Sequence, residues 1–252
     1  MLEIKNISAG YGKSSVLENV SAIIKPGKLT SIVGINGSGK STLLKSILGI
    51  IPIRSGEITL ETLPLSSMSK NETAKRIAYL AQGRNTPDMT AEQLVLHGRF
   101  PYLSYPRRYT AHDREIAQKS METLGISDLG SKHLGTLSGG MRQNAYIAMA
   151  LAQDTDYILL DEPTTYLDIS HQIDLMRTLQ RLAKDGKGIV TVMHDLPLAF
   201  QFSDEIIVLN DKTVIAQTTP YELCRSSLIK EVFGISVTYS ETEKNFYYST
   251  QA

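Results

Sequence analysis

The sequence has few features of an exported or membrane-spanning protein. Its single cysteine, Cys224, cannot form a disulfide within the chain. Because no charged and then apolar leader opens the sequence, we expect a protein of the cytoplasm. No apolar run approaches the roughly 20 residues that a spanning helix needs. The sequence therefore predicts that any path across a membrane would be formed by another subunit.

The chain also lacks an overall electrostatic field. Its 26 basic and 26 acidic residues cancel, so no net charge draws it toward nucleic acid or an anionic membrane. It has no repeat, low-complexity tract or long linker, which argues against a tandem or filamentous architecture. The 252 residues predict one compact unit with a smaller lobe, whose partners are recognised locally.

Strand-like segments at both ends of the chain enclose a helical middle. Near the start, "LEIKNI" and "SAIIKPGKLTSIVGI" predict strands, and "STLLKSILG" predicts a helix that ends at Gly49. From about Thr90 to Leu151 the pattern is helical, and "TAEQ" has capping-box spacing. Strand signals return at "YILL" (157–160), "GIVTVM" (188–193) and "EIIVL" (205–209), with a helical segment between the first two. This alternation predicts an α/β fold with a mostly parallel sheet and an inserted helical lobe.

A glycine-rich loop follows the strand that ends at Val33. Its sequence "GINGSGKS" satisfies G-x-x-x-x-G-K-[ST], in which backbone N–H groups wrap phosphates, Lys40 reaches the β- and γ-phosphates, and Ser41 can ligate Mg²⁺. An ordinary glycine turn is the alternative, but the position between a strand and a helix favours nucleotide binding. The residues predicted to contact the nucleotide here are Gly34, Asn36, Gly37, Ser38, Gly39, Lys40, Ser41 and Thr42.

Two adjacent carboxylates end the strand "YILLDE". Asp161 is suited to the Mg²⁺ shell, and Glu162 to polarising a water against the γ-phosphate. Two acids after a strand are commonly a solvated turn, but together with the lysine loop they indicate hydrolysis of ATP. A second candidate anion site lies in "LSGGMRQN" (137–144), where Ser138 and exposed N–H groups begin a helix.

With "GINGSGKST", "LSGG" and "YILLDEP" in this order, the chain resembles the nucleotide-binding subunit of ATP-binding cassette (ABC) transporters over nearly its whole length. The resemblance implies a P-loop ABC ATPase fold with a RecA-like core, an N-terminal antiparallel β-subdomain and an inserted α-helical subdomain. It implies one ABC ATPase domain over 1–252, with the core at about 1–84 and 152–252 and the helical subdomain at 85–151. It also implies a homodimer in the ATP-bound state, in which Ser138, Gly139 and Gly140 of one subunit cap the γ-phosphate held by the other.

Four further positions match the family one at a time. Tyr11, in "SAGYG", matches the aromatic residue that stacks on adenine, although it could be a simple surface tyrosine. Gln82, in "YLAQG", matches the glutamine that approaches Mg²⁺ and the attacking water. Asp168, in "TTYLD", matches an acid that crosses the dimer interface, with a helix N-cap as the alternative. His194, in "VMHDL", matches the histidine that contacts the γ-phosphate. The resemblance thus implies ATP and Mg²⁺ as cofactors, the catalytic residues Glu162, His194, Gln82 and Lys40, and the metal-binding residues Ser41, Gln82 and Asp161.

Two positions depart from the family pattern. Tyr166 stands where small residues are common, and Met149, in "IAMAL", stands where an arginine is usual. These two departures put in question how the dimer interface packs and whether one supporting ion pair of the family forms here. The predicted phosphate and metal positions are unaffected.

The class of cassette follows from further features of the sequence. The chain has no coiled-coil heptads, no second copy of the cassette and no basic stripe, which disfavours nucleic-acid and ribosomal roles. A free-standing subunit favours import. The segments "MTAEQLVLHGRFPY" (89–102) and "EVFGISV" (231–237) resemble cassettes that energise uptake of iron siderophores, haem and cobalamin, although the first could be a helix end with a proline turn. An importer of another metal or small solute, or a non-transport ABC ATPase, is the alternative.

Import of this kind implies further partners. These are integral membrane permease subunits and, indirectly, a substrate-binding protein, with the cassette placed peripherally at the cytoplasmic face of the cell membrane. The aromatic and basic residues Arg99, Phe100, Tyr102 and Tyr105 are candidate anchors for the permease, because interfaces favour such side chains. Scattered surface residues are the alternative explanation for them.

Overall fold

The computed structural model describes residues 1–83, 86–165 and 167–250. The unusual Tyr166 lies outside the described residues. The strands, in chain order, are β1 (Leu2–Ala9), β2 (Leu17–Ile24), β3 (Leu29–Val33), β4 (Ile53–Leu60), β5 (Leu63–Pro64), β6 (Ile77–Leu80), β7 (Tyr157–Asp161), β8 (Gly188–Val192), β9 (Glu205–Asn210), β10 (Thr213–Thr218), β11 (Ile235–Ser240) and β12 (Asn245–Thr250).

The first helix follows the third strand. The helices are α1 (Lys40–Ile47), α2 (Lys70–Arg76), α3 (Ala91–His97), α4 (Ala111–Thr123), α5 (Gly139–Ala152), α6 (Ile169–Lys184), α7 (Leu196–Phe202), α8 (Pro220–Cys224) and α9 (Leu228–Phe233). Short 3₁₀ turns lie at Leu65–Ser67, Phe100–Tyr102, Ser127–Leu129 and Leu134–Thr136.

The main sheet carries the strand ends at which the site forms. Within the described residues it has the order β10-β9-β3-β8-β7-β6, and every pairing is parallel except β9 with β10. Strands β3, β7 and β8 are buried along their whole length, which explains their unbroken apolar character. The predicted mostly parallel sheet is therefore confirmed.

A second, antiparallel sheet covers one face of the main sheet. Its described strands have the order β2-β1-β4-β5, and the inward residues of β1 and β2 alternate with exposed ones. The apolar face of α1 packs in the same cluster of buried residues as these strands. The glycine expected to end α1 does so: Ile47 is the last helical residue, Leu48 caps the helix, and Gly49 follows with a φ of 64°.

The segment between β6 and β7 is helical, as the sequence predicts. Helices α3, α4 and α5 pack on one another and share the larger buried cluster with the main sheet and α6. Thr90 caps α3, and its hydroxyl and the side chain of Gln93 form the predicted capping box. At the C-terminal end, the β11–β12 hairpin packs on α7, where the Phe246 ring meets the edge of Phe200 at 5.3 Å between centroids.

Candidate functional site

The glycine-rich loop lies between the buried end of β3 and the start of α1. A Cβ at Gly34 would lie 2.1 Å from the carbonyl oxygen of Leu209, so only glycine fits there. Gly37 and Gly39 have φ values of 79° and 106°, which favour glycine. The Lys40 ammonium is buried and donates to the carbonyls of Gly34 at 2.8 Å and Ile35 at 3.0 Å. The loop therefore curls around the lysine, as a phosphate cradle requires.

Charge and unmet hydrogen bonding in this loop suit an anion. Burial lowers the pKa of Lys40, while the carboxylates of Glu162 and Asp161 oppose that shift. The Ser38 hydroxyl is buried and has no hydrogen-bond partner among the described residues. Because an orphaned buried hydroxyl costs stability, a ligand oxygen at this point is the natural partner.

Two of the three predicted metal-binding positions, Ser41 and Asp161, meet at the start of α1. The Ser41 hydroxyl donates to Asp161 Oδ1 at 3.0 Å, and the Tyr79 hydroxyl lies 3.4 Å from Oδ2. Burial raises the pKa of Asp161, partly offset by the hydrogen bond from Ser41. Among the described residues no group of three His, Cys, Asp or Glu side chains could hold a metal alone. A hydroxyl beside one carboxylate fits Mg²⁺, which is commonly shared with substrate phosphates and waters.

Glu162 lies next to Asp161 and is held by three side chains. The Gln82 amide donates to its Oε2 at 2.6 Å, the His194 Nε2 lies 2.5 Å from Oε1, and the Thr165 hydroxyl donates to Oε2 at 3.3 Å. Glu162 has a φ of 52°, a left-handed conformation that is rare outside glycine and is tolerated where surrounding contacts enforce it. The predicted catalytic residues Glu162, Gln82 and His194 thus come together although they are distant in sequence.

The serine-glycine segment begins α5, as predicted. Ser138 is its exposed N-cap, and the serine hydroxyl accepts from the N–H of Met141 at 3.3 Å. Gly139 borders a cavity of about 80 Å³ whose lining includes Gln82 and Glu162. In the same region Gln143 Nε2 donates to the carbonyl of Pro163 at 2.8 Å and so joins α5 to the chain that follows Glu162.

Asp168 caps α6, which was the alternative that the sequence left open. Its Oδ1 accepts from the N–H of His171 at 2.9 Å and from the Ser170 hydroxyl at 2.9 Å. Together with the His171 side chain, these bonds lower the pKa of Asp168 to about 2. Within the described residues, no hydrogen bond joins Asp168, Ser138 or Tyr11 to the Glu162 cluster, so their parts in a dimer or in adenine stacking stay predictions.

Tyr11 stands at the edge of an open cleft. Its side chain is 54% exposed, and the cleft, of about 460 Å³, is also lined by Lys45 and by the segment 50–54. An exposed ring beside an open cleft is available for stacking on a planar ligand.

Sequence reasoning was wrong about Arg99 and missed two side chains. Arg99 is buried, where it pairs with Asp113 at 3.0 Å and donates to the carbonyl of Ala152, so it cannot anchor a partner. The ring of Tyr102 lies against the Arg99 guanidinium at 3.9 Å. The other two candidate anchors, Phe100 and Tyr105, are exposed.

The sequence analysis did not select Thr165 and Gln143. For Thr165 the sequence contains a signal, because "DEPTT" places a hydroxyl three residues after Glu162.

Comparison with known proteins identifies the family. Residues 17–165 match the family described as ABC transporter. The chain belongs to the ABC transporter family. It is an ATP-binding, ATP-hydrolysing subunit, as the motifs predict.

Two curated relatives resemble this cassette over nearly its full length. The petrobactin import ATP-binding protein FpuD of Bacillus anthracis is 39% identical over 241 residues, 95% of this chain and 88% of the relative. The ferric enterobactin transport ATP-binding protein FepC of Escherichia coli K12 is 40% identical over 233 residues, which are 92% of this chain and 86% of the relative.

Two solved structures share the fold. A cassette from a metal-chelate type ABC transporter in an inward-facing conformation superposes with a TM-score of 0.84 at 24% identity, covering 98% of this chain and 95% of that one. The second is the ATP-binding cassette MJ0796, solved as a dimer in a post-hydrolysis state with ADP and phosphate. It superposes with a TM-score of 0.75 at 30% identity and covers 87% of this chain and 99% of that one. In the described part of this chain, no helix combines the length and apolar character of a membrane span.

Proposed function

We propose that this ABC ATPase energises the import of an iron chelate, or of the chemically related haem or cobalamin, through a membrane permease. The observation that carries the substrate class is the identity of 39% and 40% to cassettes of petrobactin and ferric enterobactin transport. The segments at 89–102 and 231–237 favour the same group. The cassette itself then binds peripherally at the cytoplasmic face of the membrane, through its permease.

The convergence of side chains around Glu162 supports a division of labour in hydrolysis. Lys40 and the loop N–H groups hold the β- and γ-phosphates, and Tyr11 stacks on adenine. Glu162 orients the attacking water, and its close contacts with Gln82 and His194 support roles for both of them at the γ-phosphate. Because this chemistry depends mainly on position and charge, a Glu162 side chain held in place by three neighbouring side chains suits it.

Mg²⁺ belongs to the same proposal. The Ser41 hydroxyl and Asp161 carboxylate, 3.0 Å apart, would hold it, with Gln82 nearby. When bound, the ion neutralises negative charge on the phosphate oxygens. Asp161 is suited to this task because its burial raises the cost of leaving the carboxylate charged and unpaired.

The ATP-bound form is proposed to be a homodimer. Ser138, Gly139 and Gly140 would then meet the γ-phosphate of the partner subunit's nucleotide, and Asp168 would lie at the interface. Ser138 is exposed, and three apolar residues at the starts of the glycine loop, α5 and α6 are also exposed: Ile35 (47%), Met141 (45%) and Ile169 (74%). Such a surface is covered when two cassettes close head to tail.

An open groove on this chain could receive a segment of the permease. The groove has a volume of about 920 Å³ and is lined by the end of α1, the turn at Leu65–Ser67 and one side of α2. Tyr79 forms part of its wall, and the Tyr79 hydroxyl contacts Asp161, so the groove is linked to the site. We place the permease contact here and not on Arg99, which is buried.

Transport by the assembled system tests the proposal. The cassette, its permease and its binding protein would be reconstituted in vesicles containing ATP, and uptake of radioactive iron siderophore, haem and cobalamin would be compared. We expect uptake of one of these that depends on ATP and is lost with Glu162→Gln. Uptake of a free metal ion or another solute alone would overturn the substrate class and leave the ATPase assignment intact.

A further inference from the structure

The loop that carries Tyr11 is shaped by its own backbone. It leaves β1 after Ala9 and is closed by two hydrogen bonds, from the N–H of Ser14 to the carbonyl of Tyr11 and from the N–H of Val16 to that of Ala9, both 2.9 Å. Gly10 has no space for a side chain, since a Cβ would lie 2.1 Å from the Ser14 carbonyl oxygen. These bonds define a turn, but they do not use the carbonyls of Gly12 and Ser14, which lie in it.

Arg54 supplies hydrogen-bond donors for these two carbonyls from the neighbouring strand. Arg54 is the residue after Ile53 in β4. Because Ile53 pairs with Ala9 at the end of β1, Arg54 lies next to the loop that leaves β1. Its Nη2 donates to the carbonyls of Gly12 and Ser14, both at 2.8 Å. Within the part of the chain that the structure describes, no carboxylate forms an ion pair with this guanidinium. Its hydrogen bonding is therefore directed at the loop on the C-terminal side of Tyr11.

Arg54 and Tyr11 also line the same cleft of about 460 Å³. An aromatic ring contributes most to binding when the loop that carries it is already ordered, because otherwise the ligand must supply the entropy of ordering. A guanidinium is a planar donor that can hold two acceptors in fixed positions, which a lysine ammonium does less well.

We propose that Arg54 is a positioning residue for the nucleotide base. It fixes the loop at 10–15 so that the Tyr11 ring is ready to stack, and it acts through Tyr11 without touching the phosphates. This inference rests on the proposed stacking role of Tyr11. It predicts that Arg54 matters for ligands that carry a base and not for those that lack one.

A double-mutant cycle tests the proposal. Dissociation constants for ATP would be measured by calorimetry in the Glu162→Gln protein, with Arg54→Ala, Tyr11→Ala and both changes together. Since stacking of a base on an aromatic ring is worth about tenfold in affinity, we expect Tyr11→Ala to weaken ATP binding by about tenfold. We expect Arg54→Ala to weaken it by about three- to tenfold, and the double variant to match Tyr11→Ala within about twofold.

Inorganic tripolyphosphate, which has no base, provides the second readout. Its affinity should be the same in all of these variants. Arg54→Lys should recover part of the ATP affinity, and Arg177→Ala, on the exposed side of α6, serves as the control for loss of a surface arginine. Thermal unfolding would confirm that each variant is folded, with Arg54→Gln as the substitute if the alanine variant is not.

The outcomes separate this inference from the proposed function. Additive losses in the double variant, or an equal loss of tripolyphosphate affinity, would show that Arg54 acts independently of Tyr11 and would overturn the inference. Normal ATP binding by Arg54→Ala, with weakened binding by Tyr11→Ala, would overturn it while leaving the stacking role intact. If Tyr11→Ala binds ATP normally, the stacking role itself is wrong and the inference falls with it.

Discussion

Glu162 shows how much of this site depends on a single residue. Its carboxylate accepts from the side chains of Gln82 and Thr165 and contacts His194, and its backbone has a φ of 52°. Asp161, one position earlier, is buried and directed at Ser41 instead. Two adjacent acids therefore have different neighbours, and we expect different roles for them.

Replacing Glu162 by Gln should separate binding from turnover. The amide keeps the shape of the side chain and leaves Asp161 and Ser41 in place, so ATP affinity should be nearly unchanged. Loss of the orienting carboxylate should lower the rate of hydrolysis by about 10²- to 10⁴-fold. Phosphate release and calorimetric ATP binding would be measured on the same preparation. Lys40→Ala is the contrasting variant and should weaken binding itself, whereas hydrolysis by Glu162→Gln at the wild-type rate would exclude Glu162 as the essential carboxylate.

At the scale of elements, two contacts hold the site's framework together. In the main sheet, Gly188 of β8 stands opposite Tyr157 of β7, and both are buried. In the helical segment, the ion pair of Arg99 and Asp113 ties the turn after α3 to α4, and Arg99 also reaches the carbonyl of Ala152 at the end of α5. Each contact can be tested separately.

Gly188→Ala should destabilise the fold. A Cβ at this position would lie 2.4 Å from the Cδ1 and Cε1 atoms of Tyr157, so a ring held in the core would have to move. Overpacking of this kind typically costs about 1–3 kcal/mol in the free energy of unfolding. Urea denaturation would measure it against Gly135→Ala, where an added Cβ would have no described atom within 4 Å beyond its chain neighbours. Equal stability of the two variants would contradict the tight packing of β7 on β8.

Arg99→Ala should cost more, because it leaves the carboxylate of Asp113 buried without its cation. Breaking a buried ion pair typically costs about 3–5 kcal/mol. The matched control is Arg107→Ala, whose guanidinium lies over the exposed ring of Phe100 at 4.7 Å and whose loss should change stability by less than about 0.5 kcal/mol. A similar, small effect of both substitutions on chemical denaturation would contradict the burial of this pair.

The same pair predicts a dependence of stability on pH. Burial favours the neutral form of Asp113, but hydrogen bonds from Thr110 and Arg99 outweigh it and lower the pKa of this carboxyl. A lowered folded-state pKa contributes stability that is present above the ordinary aspartate value and is lost as the pH falls through the folded-state value. The difference in unfolding free energy between the wild type and Asp113→Asn should therefore be constant near neutral pH and shrink below about pH 4. A difference that grew on acidification would contradict this sign.

At the scale of the whole molecule, we propose that the two candidate anion sites meet only when a second copy of the chain is present. The glycine loop is fully formed within one chain, whereas Ser138 is exposed and only caps its own helix. Substituting Ser138 would also remove that cap, which is worth about 1 kcal/mol, so Gly139 offers a cleaner test of the shared site.

Gly139→Arg in the Glu162→Gln background should prevent dimerisation driven by ATP. The added side chain would occupy the space at the start of α5 where the partner's γ-phosphate is proposed to lie. Light scattering should show that Glu162→Gln forms a dimer with ATP and that the Gly139→Arg variant stays monomeric while still binding ATP. Gly135→Arg adds the same charge four residues earlier and should leave dimerisation intact. An unchanged dimer in the Gly139→Arg protein would remove this segment from the shared site.

The sequence by itself determined the local chemistry and the order of elements. The loop at 34–41, the acids at 161 and 162, the capping box at Thr90 and the buried strands all follow from short-range patterns, because phosphate cradles, helix caps and buried strands each impose their residues within about ten positions. The family resemblance supplied Gln82 and His194, which composition and spacing alone would not have selected.

Only the tertiary structure decided which distant residues meet and which are hidden. It brought Gln82 and His194 to Glu162 across 80 and 32 positions, and it directed Arg54 at the Tyr11 loop. It also buried Arg99, whose charge and aromatic neighbours had indicated a docking surface. Such outcomes depend on strand order and helix packing, since a side chain becomes buried or exposed only once non-local elements have assembled around it.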